Sequence, residues 1–364
     1  MEHSADMPLW TRLYKQSHTA SFFQSPRWAM IWQRYTDNQF HPAPLLGTLP
    51  SGRNILLPLS KARLAGGLVG WQHLSPAGTY GGWLAADGQP VQSEDLGDVL
   101  TMLGDTGIST TFRWFPFSTG DQGSGETDVA PVAPAGSEHP CNTSGVLPSG
   151  WTARPEFTRV LDCAKGFGAI VHQWQSSRSA MMRNLRKAKQ SGVQVRLARS
   201  PEDRRAYHTL YLKSARRWNP PPGHVYDARL WDILAACEPE CKLWLAEHRG
   251  RIVAGAVLLY GINHVAYWHG ASDVEQRGTR PVNLLLAKAI KDACEQGYRW
   301  FDFNPGGGVQ GVDRFKASFG AVNVACSVFE RQTLPAALCM RISQLRQRVG
   351  SKAGRRVKTN QGDT

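Results

Sequence analysis

Residues 303–321 read FNPGGGVQGVDRFKASFGA, and they hold the residue types best suited to chemistry in this chain. Gly306, Gly308 and Gly311 fit the spacing G-x-G-x-x-G, which in dinucleotide-binding folds joins a strand to a helix that cradles pyrophosphate. The context argues against that use. Only about two helical turns fit between Gly311 and Gly320, and too little chain follows to build a parallel sheet. Glu330, 19 residues after Gly311, stands where a ribose-binding acid would be, but it cannot supply the missing βαβ unit. What remains is a turn of glycines followed at once by Arg314, Phe315 and Lys316. Gly307 and Gly308 let backbone approach a ligand closely, and a helix starting there aims free N–H groups at an anion while a cation points into the same space. The alternative is a loop whose glycines serve only the turn and whose lysine is solvated.

His269, Tyr267 and Asp302 fall at or near the ends of predicted strands that face this loop, where they could relay a proton. The alternatives are a satisfied structural histidine and an aspartate that merely caps the glycine turn. No covalent nucleophile is evident: G-x-S-x-G is absent and the cysteines lack a local base signature. Attack of an amine on an already activated acyl group needs no such nucleophile, only a path for the amine proton and donors for the tetrahedral oxyanion. Lys316 is the candidate donor.

The elements that must position these residues follow from the pattern. SFFQSPRWAMIWQRY sets Trp28, Ile31 and Trp32 at helical spacing behind a Ser25-Pro26 start, and strand-like runs follow at APLLGTL, NILLPLS and GLVGWQHL. Residues 118–150 contain 18 Gly, Pro, Ser or Thr in 33 and predict a flexible loop. The strand EFTRVLDC (156–163) then resumes and is expected to complete the first domain. Beyond it, Met181, Leu185 and Ala188 form one helical stripe with a stop at Gly192, and VQVRLA continues as a strand. A hairpin turning at 248–250 comes next, then a strand HVAYWHGA and a helix from Pro281 to Gly297. YRWFDFN is a strand, GVDRFKASFG a short helix and AVNVACSVFERQ one final strand. The expected domains are 1–165, 166–334 carrying the motifs, and a basic tail or helix at 335–364.

The net charge of +13 is uneven: residues 1–150 hold 8 Lys/Arg against 12 Asp/Glu, and the rest 34 against 17. That asymmetry suits a polyanion, whether nucleic acid, nucleotide phosphate or an anionic membrane surface. Nine Lys/Arg fall between 178 and 205, and seven between 341 and 358. Seven scattered cysteines argue against a disulfide framework and for a reducing compartment. Cys237 and Cys241 lack a second ligand pair at zinc spacing, so no metal is expected. The N-terminus carries no signal-peptide pattern and no run reaches the roughly 18 apolar residues of a membrane span, which predicts a cytoplasmic protein.

With those pieces placed, the second half resembles the Fem-type (FemABX-like) branch of the GNAT superfamily, also described as BioF2-like acetyltransferase domains. The matching stretches are SRSAMMRNLRKAKQSGVQVR (177–196), GRIVAGAVLLYGINHVAYWHGAS (250–272), RPVNLLLAKAIKDACEQGYRWFDFNPGG (280–307) and GVDRFKASFGA (311–321), with RFKASFG the most specific. The opening helix is similar to the family's own. The resemblance implies an α/β (α+β) fold of two tandem GNAT-like domains, each a mixed twisted sheet flanked by helices. It implies transfer of an acyl or aminoacyl group to an amine, with Lys316 near the reacting centre or substrate phosphates and Arg186 as a further binding residue. No coiled-coil arm is present, since no heptad pattern appears between 200 and 240. The acyl-CoA pyrophosphate loop is replaced by EQRGTRPVN, where Pro281 offers no N–H and Arg280 crowds the backbone. The expectation is therefore an aminoacyl-tRNA donor ahead of acyl-CoA, as co-substrate with no bound cofactor. The acceptor would be an amine of a peptidoglycan precursor or small metabolite; no stable protein partner is implied. A non-catalytic GNAT-like protein that binds nucleic acid is the alternative from a different class.

Overall fold

In a computed structural model of the chain, residues 3–4, 6–64, 70–88, 95–104, 109–114, 147–177, 180–218 and 224–333 are described. The tail 335–364 and nearly all of the loop 118–150 lie outside them, as do Cys141 and Cys339.

Helix starts follow the local chemistry. Ser25 caps the helix Pro26–Tyr35 by accepting from the Trp28 N–H, and proline at the first position loses no intrahelical bond. Trp28, Ile31 and Trp32 face the core from it. Ser200 caps Pro201–Ala215 in the same way, through the Asp203 N–H. The stripe of Met181 and Ala188 is fully buried on the helix Met181–Gln190, and the chain leaves it through Gly192 at φ +78°. The hairpin between Cys241–His248 and Arg251–Tyr260 turns on Arg249 and Gly250, both at positive φ, the geometry a two-residue turn requires.

The site-bearing sheet has seven strands in the order Gln194–Leu197, Cys241–His248, Arg251–Tyr260, His264–Ser272, Trp300–Asp302, Phe157–Asp162 and Val322–Ala325. Helices cover both faces. Pro26–Tyr35, Pro201–Ala215 and Ala228–Ala235 bury one face with Trp28, Tyr207, Tyr211 and Trp231. Gly166–Ser176, Met181–Gln190 and Pro281–Glu295 bury the other with Trp174, Leu285 and Ile290. A six-stranded sheet, in the order Phe40–Pro42, Ser60–Leu64, Gly70–Leu74, Ser109–Arg113, Val328–Gln332 and Trp151–Arg154, makes the second layer system with a smaller four-stranded one.

Two expectations are corrected here. The strand Phe157–Asp162 does not complete the first domain's sheet; it pairs antiparallel with Trp300–Asp302 and Val322–Ala325 inside the seven-stranded sheet. The final run is not one strand. Val322–Ala325 stays in the seven-stranded sheet, the chain passes Cys326 and Ser327, and Val328–Gln332 crosses into the six-stranded sheet between Ser109–Arg113 and Trp151–Arg154. Alternating apolar residues specify which face a strand buries and not which sheet accepts it. The two sheets therefore exchange strands as well as touch.

The N-terminal segment is clamped onto the seven-stranded sheet at Gly261. A Cβ there would lie 2.7 Å from the Ala20 carbonyl and the Phe22 nitrogen, and the Ile262 N–H donates to that same carbonyl at 3.0 Å. Gly261→Ala must push backbone away from backbone, and should lower unfolding free energy by about 1–3 kcal/mol in a denaturant titration. An unchanged midpoint would show that this contact is loose.

Candidate active site

The sheet opens where its parallel pair ends. His264–Ser272 and Trp300–Asp302 pair in parallel over only three residues, His264 with Trp300, Val265 with Phe301 and Ala266 with Asp302. One strand then runs on to Ser272 while the other turns away through Phe303 and Asn304. On its far side the longer strand is irregular: Val257 faces His269 and Leu258 faces Tyr267, so Trp268 is an extra, unpaired residue that bends the strand. The cleft outside the carboxyl ends of parallel strands is the usual ligand position in α/β sheets. Asn304 bridges its root, its Nδ2 donating to the Tyr267 carbonyl at 3.2 Å.

Behind Asn304 lies a buried polar cluster. Asp302 has no exposed surface, and Thr158 donates to its Oδ1 at 2.5 Å. The Asn304 N–H donates to the same oxygen at 2.7 Å, and His264 Nε2 lies 3.2 Å from Oδ2. Tyr80, brought in from the N-terminal part, reaches the same group; burial, with the Asp302 charge beside it, pushes its hydroxyl pKa well up. The Asp302–Asn304 bond closes a tight turn with Asn304 at φ +56°, a backbone state asparagine tolerates better than most residues.

Lys316 stands on the helix Gln310–Ala317, which the glycine turn opens with Gly307 and Gly308 at φ +61° and +76°. Two contacts hold that helix. Arg159 clamps Asp313 through paired bonds of 2.8 and 2.9 Å, and Phe315 packs on Phe319, whose carbonyl accepts from Trp174 Nε1 at 2.7 Å. Lys316 is thereby driven inward, 5% exposed, with Nζ donating to the Asn304 carbonyl at 2.5 Å. Burial lowers its pKa to about 8, against the opposing pull of Asp302, Asp313 and Cys326. At pH 7 it is a partly desolvated ammonium one residue layer from the cleft.

A cavity of about 210 Å³ lies beside this group, lined by Tyr80, Arg113, Glu156, Trp268, Asn304 and Gly307 among others. Both halves of the chain contribute to it. Arg113 pairs with Glu156 at 2.8 Å and also donates to the Gly78 carbonyl, which fixes one charged wall.

The other residues singled out from sequence scatter. His269 does not join the Lys316 cluster. It sits among Tyr207, Tyr211, Tyr226 and Trp231, with Tyr207's hydroxyl 2.6 Å from Nδ1 and no partner for Nε2 among the described residues. Burial drops its pKa to about 3, so it is neutral and a poor proton acceptor. Tyr267 supplies the carbonyl held by Asn304, while its hydroxyl lies over Gly270, where a Cβ would meet it at 1.9 Å. Burial pushes that hydroxyl to about 12. Asp302 acts behind the cleft, as an organiser of the Asn304 turn. Arg314 is exposed, Phe315 half-buried, and Arg186 exposed on Met181–Gln190, with no hydrogen bond or ion pair among the described residues linking it to Lys316. Asn304, Thr158, His264 and Tyr80 were missed from sequence; only Asn304, inside FNPGG, carried a local signal.

Residues 175–317 match the family model described as Acetyltransferase (GNAT) domain. No curated protein matches the sequence. Among solved structures the chain is similar to FemX, with a TM-score of 0.64 and 12% identity over 95% of this chain and 99% of that one. The chain therefore shares the fold of FemX, with the match to the GNAT domain confined to residues 175–317. The chain is also similar to the C-terminal domain of a putative lysylphosphatidylglycerol synthetase from Agrobacterium fabrum (TM-score 0.53, 12% identity, 93% and 95% covered). A third similar structure is L-PGS from Bacillus licheniformis (0.51, 11%, 96% and 98%). The family model spans the splayed strands and Lys316, and the likeness to FemX extends through both sheets. No described helix of the chain is long and apolar enough to cross a membrane, and no described group of three or more His, Cys, Asp or Glu could hold a metal ion.

Proposed function

We propose that this chain is an acyltransferase that forms an amide by moving an aminoacyl group from aminoacyl-tRNA to an amine of a peptidoglycan precursor or small metabolite. The observation that carries the reading is the buried ammonium of Lys316 at the root of the splayed strands. The acceptor amine attacks the ester carbonyl, a C–N bond forms, and negative charge collects on the carbonyl oxygen. Lys316, released from the Asn304 carbonyl or sharing its protons with it, donates to that oxygen; in a site with little water such a donor strengthens as charge develops. The C–O bond to the ribose then breaks, and the ribose oxygen leaves with the proton that the amine gives up. Asp302, through the Asn304 turn, keeps the acceptor carbonyl of Lys316 in place. His269, neutral and enclosed, is given no proton-transfer role.

Two features support tRNA over CoA as the carrier. The helix Pro281–Glu295 begins with a residue that has no N–H, preceded by Arg280 at φ +56°, where a pyrophosphate would need free backbone donors. The helix Met181–Gln190 also exposes Arg183, Arg186, Lys187 and Lys189 in one turn and a half, a surface suited to phosphates. The similar structures' names, FemX and lysylphosphatidylglycerol synthetase, agree with an aminoacyl donor. Acyl-CoA is the second reading, favoured by the acetyltransferase description of the family model. The tail beyond residue 334 is proposed as a further phosphate contact or as a peripheral contact with an anionic membrane, in a cytoplasmic protein.

The test is a mass-spectrometric screen of aminoacyl-tRNAs and acyl-CoAs against a panel of amines. Amide product from an aminoacyl-tRNA is expected. Product from acyl-CoA alone overturns the donor. No product from either, with tight salt-sensitive RNA binding, would mark the chain as a binding protein.

A further inference from the structure

The connection between the helix Ala228–Ala235 and the strand Cys241–His248 holds two thiols at the ends of one closed turn. The Cys241 N–H donates to the Cys237 carbonyl at 3.1 Å, and the Cys237 N–H to the Leu234 carbonyl at 2.9 Å. That backbone bond sets the two residues side by side, as a disulfide, with its α-carbons about 4.4–6.8 Å apart, requires. The Cys237 thiol donates to the Ile233 carbonyl at 3.5 Å, on the helix turn just before it.

The two are unequal. Cys237 is partly exposed while Cys241 is 3% exposed. The hydrogen bond from Cys241 lowers the Cys237 thiol to about 7 against the cost of burial, with help from Arg27 and Arg34 and opposition from Glu240. Burial pushes Cys241 the other way. Arg27 also pairs with Glu240 at 2.7 Å, so helix Pro26–Tyr35 is fastened to this turn. Beside the pair lies a second cavity, about 660 Å³, distinct from the one at Lys316, lined by Cys241 and Glu238 and walled by Trp231, Leu234 and Leu243. Cys237 is not part of that lining; its own partial exposure is where a peptide-sized disulfide would meet it.

We propose that Cys237 and Cys241 are a reversible dithiol–disulfide site, in which Cys237 attacks an oxidised low-molecular-weight disulfide of the glutathione type and Cys241 resolves the adduct. In the first step the Cys237 thiolate forms a bond to one sulfur of the reagent, whose S–S bond breaks, and one reagent thiolate leaves. In the second, Cys241 gives up its proton and attacks the Cys237 sulfur; the mixed disulfide breaks and the second thiolate leaves. Two protein thiols are oxidised and one reagent disulfide is reduced to two thiols. An attacking thiol near neutral pKa that is accessible, next to a protected partner, is the arrangement that such exchange needs. The site is independent of the acyl donor and stands or falls apart from it.

The experiment treats the full chain with oxidised glutathione, then blocks free thiols and maps peptides by mass spectrometry. The expected product is a Cys237–Cys241 link with the loss of two hydrogens, returned to dithiol by dithiothreitol. Cys241→Ser should stop at a stable glutathione adduct on Cys237, and Cys237→Ser should leave Cys241 unmodified. Timed alkylation of the unmodified parent protein gives a readout that needs no variant: Cys237 should react about tenfold or more faster than Cys241 and the buried Cys163. A link that maps to Cys163 and Cys294, while Cys237 and Cys241 remain free to alkylate, would overturn the proposal. So would a parent protein that accumulates only the adduct, or equal alkylation rates.

Discussion

Replacing Lys316 with methionine should slow amide formation by about 100- to 1,000-fold, the usual cost of losing one oxyanion donor, and leave the protein folded. Methionine approximates the length of the buried stem without its charge. The same change should raise stability at pH 7. Burial lowers the Lys316 pKa to about 8, from the ordinary 10.5, so folding works against the charged form. Below pH 8 both states hold the proton and the full penalty applies. Between about 8 and 10.5 the unfolded chain keeps its proton and the native one releases it, so parent stability rises with pH and the advantage of methionine shrinks. The shift corresponds to about 3 kcal/mol at most, less the lost bond to Asn304. Denaturant titrations of both proteins at pH 7 and pH 10 read the difference. For catalysis the sign is opposite: the charged form is needed, so the Lys316-dependent part of the rate should fall as pH passes about 8. A variant that is both inactive and much less stable at pH 7 would show that Lys316 is structural.

Asp302→Ala should cost about 3–5 kcal/mol of stability, among the largest losses available to a single substitution. The carboxylate is fully buried and serves Thr158, the Asn304 N–H, His264 and Tyr80 together. Its removal strands those groups in a site that water does not reach. Asp302→Asn is the informative companion, because an amide oxygen can still accept from the Asn304 N–H while the charge is gone. Asp302 holds the Lys316 pKa up. Without that charge the Lys316 pKa falls further, and the fall of rate with pH should begin below about 8. A purely structural aspartate would lower stability and leave the pH profile unmoved.

Much of the motif-bearing half was legible because its signals are local. Pro281 marks a helix start there, as Ser25-Pro26 does in the first half; Gly192 and Gly297 mark stops, and the turn at 248–250 sets a hairpin, each within a few residues of the element it defines. What could not be read is where strands go. Phe157–Asp162 and Val328–Gln332 have ordinary strand patterns, but their partners lie in elements more than 100 residues away. The site divides in the same way. Lys316 stood out because glycines and RFK are contiguous. The Thr158–Asp302 bond joins residues 144 apart, and Tyr80 comes from the other half, so no spacing rule could link them. His269 looked like a proton carrier in its strand; the helices Pro201–Ala215 and Ala228–Ala235 bring the aromatic rings that keep it neutral.

The measurement closest to the central claim is single-turnover amide formation, followed by product mass, with parent and Lys316→Met run side by side on an aminoacyl-tRNA donor at pH 7. Product from the parent and a rate about 100-fold or more lower in the folded variant is the predicted result. Equal rates in a folded Lys316→Met protein would contradict it.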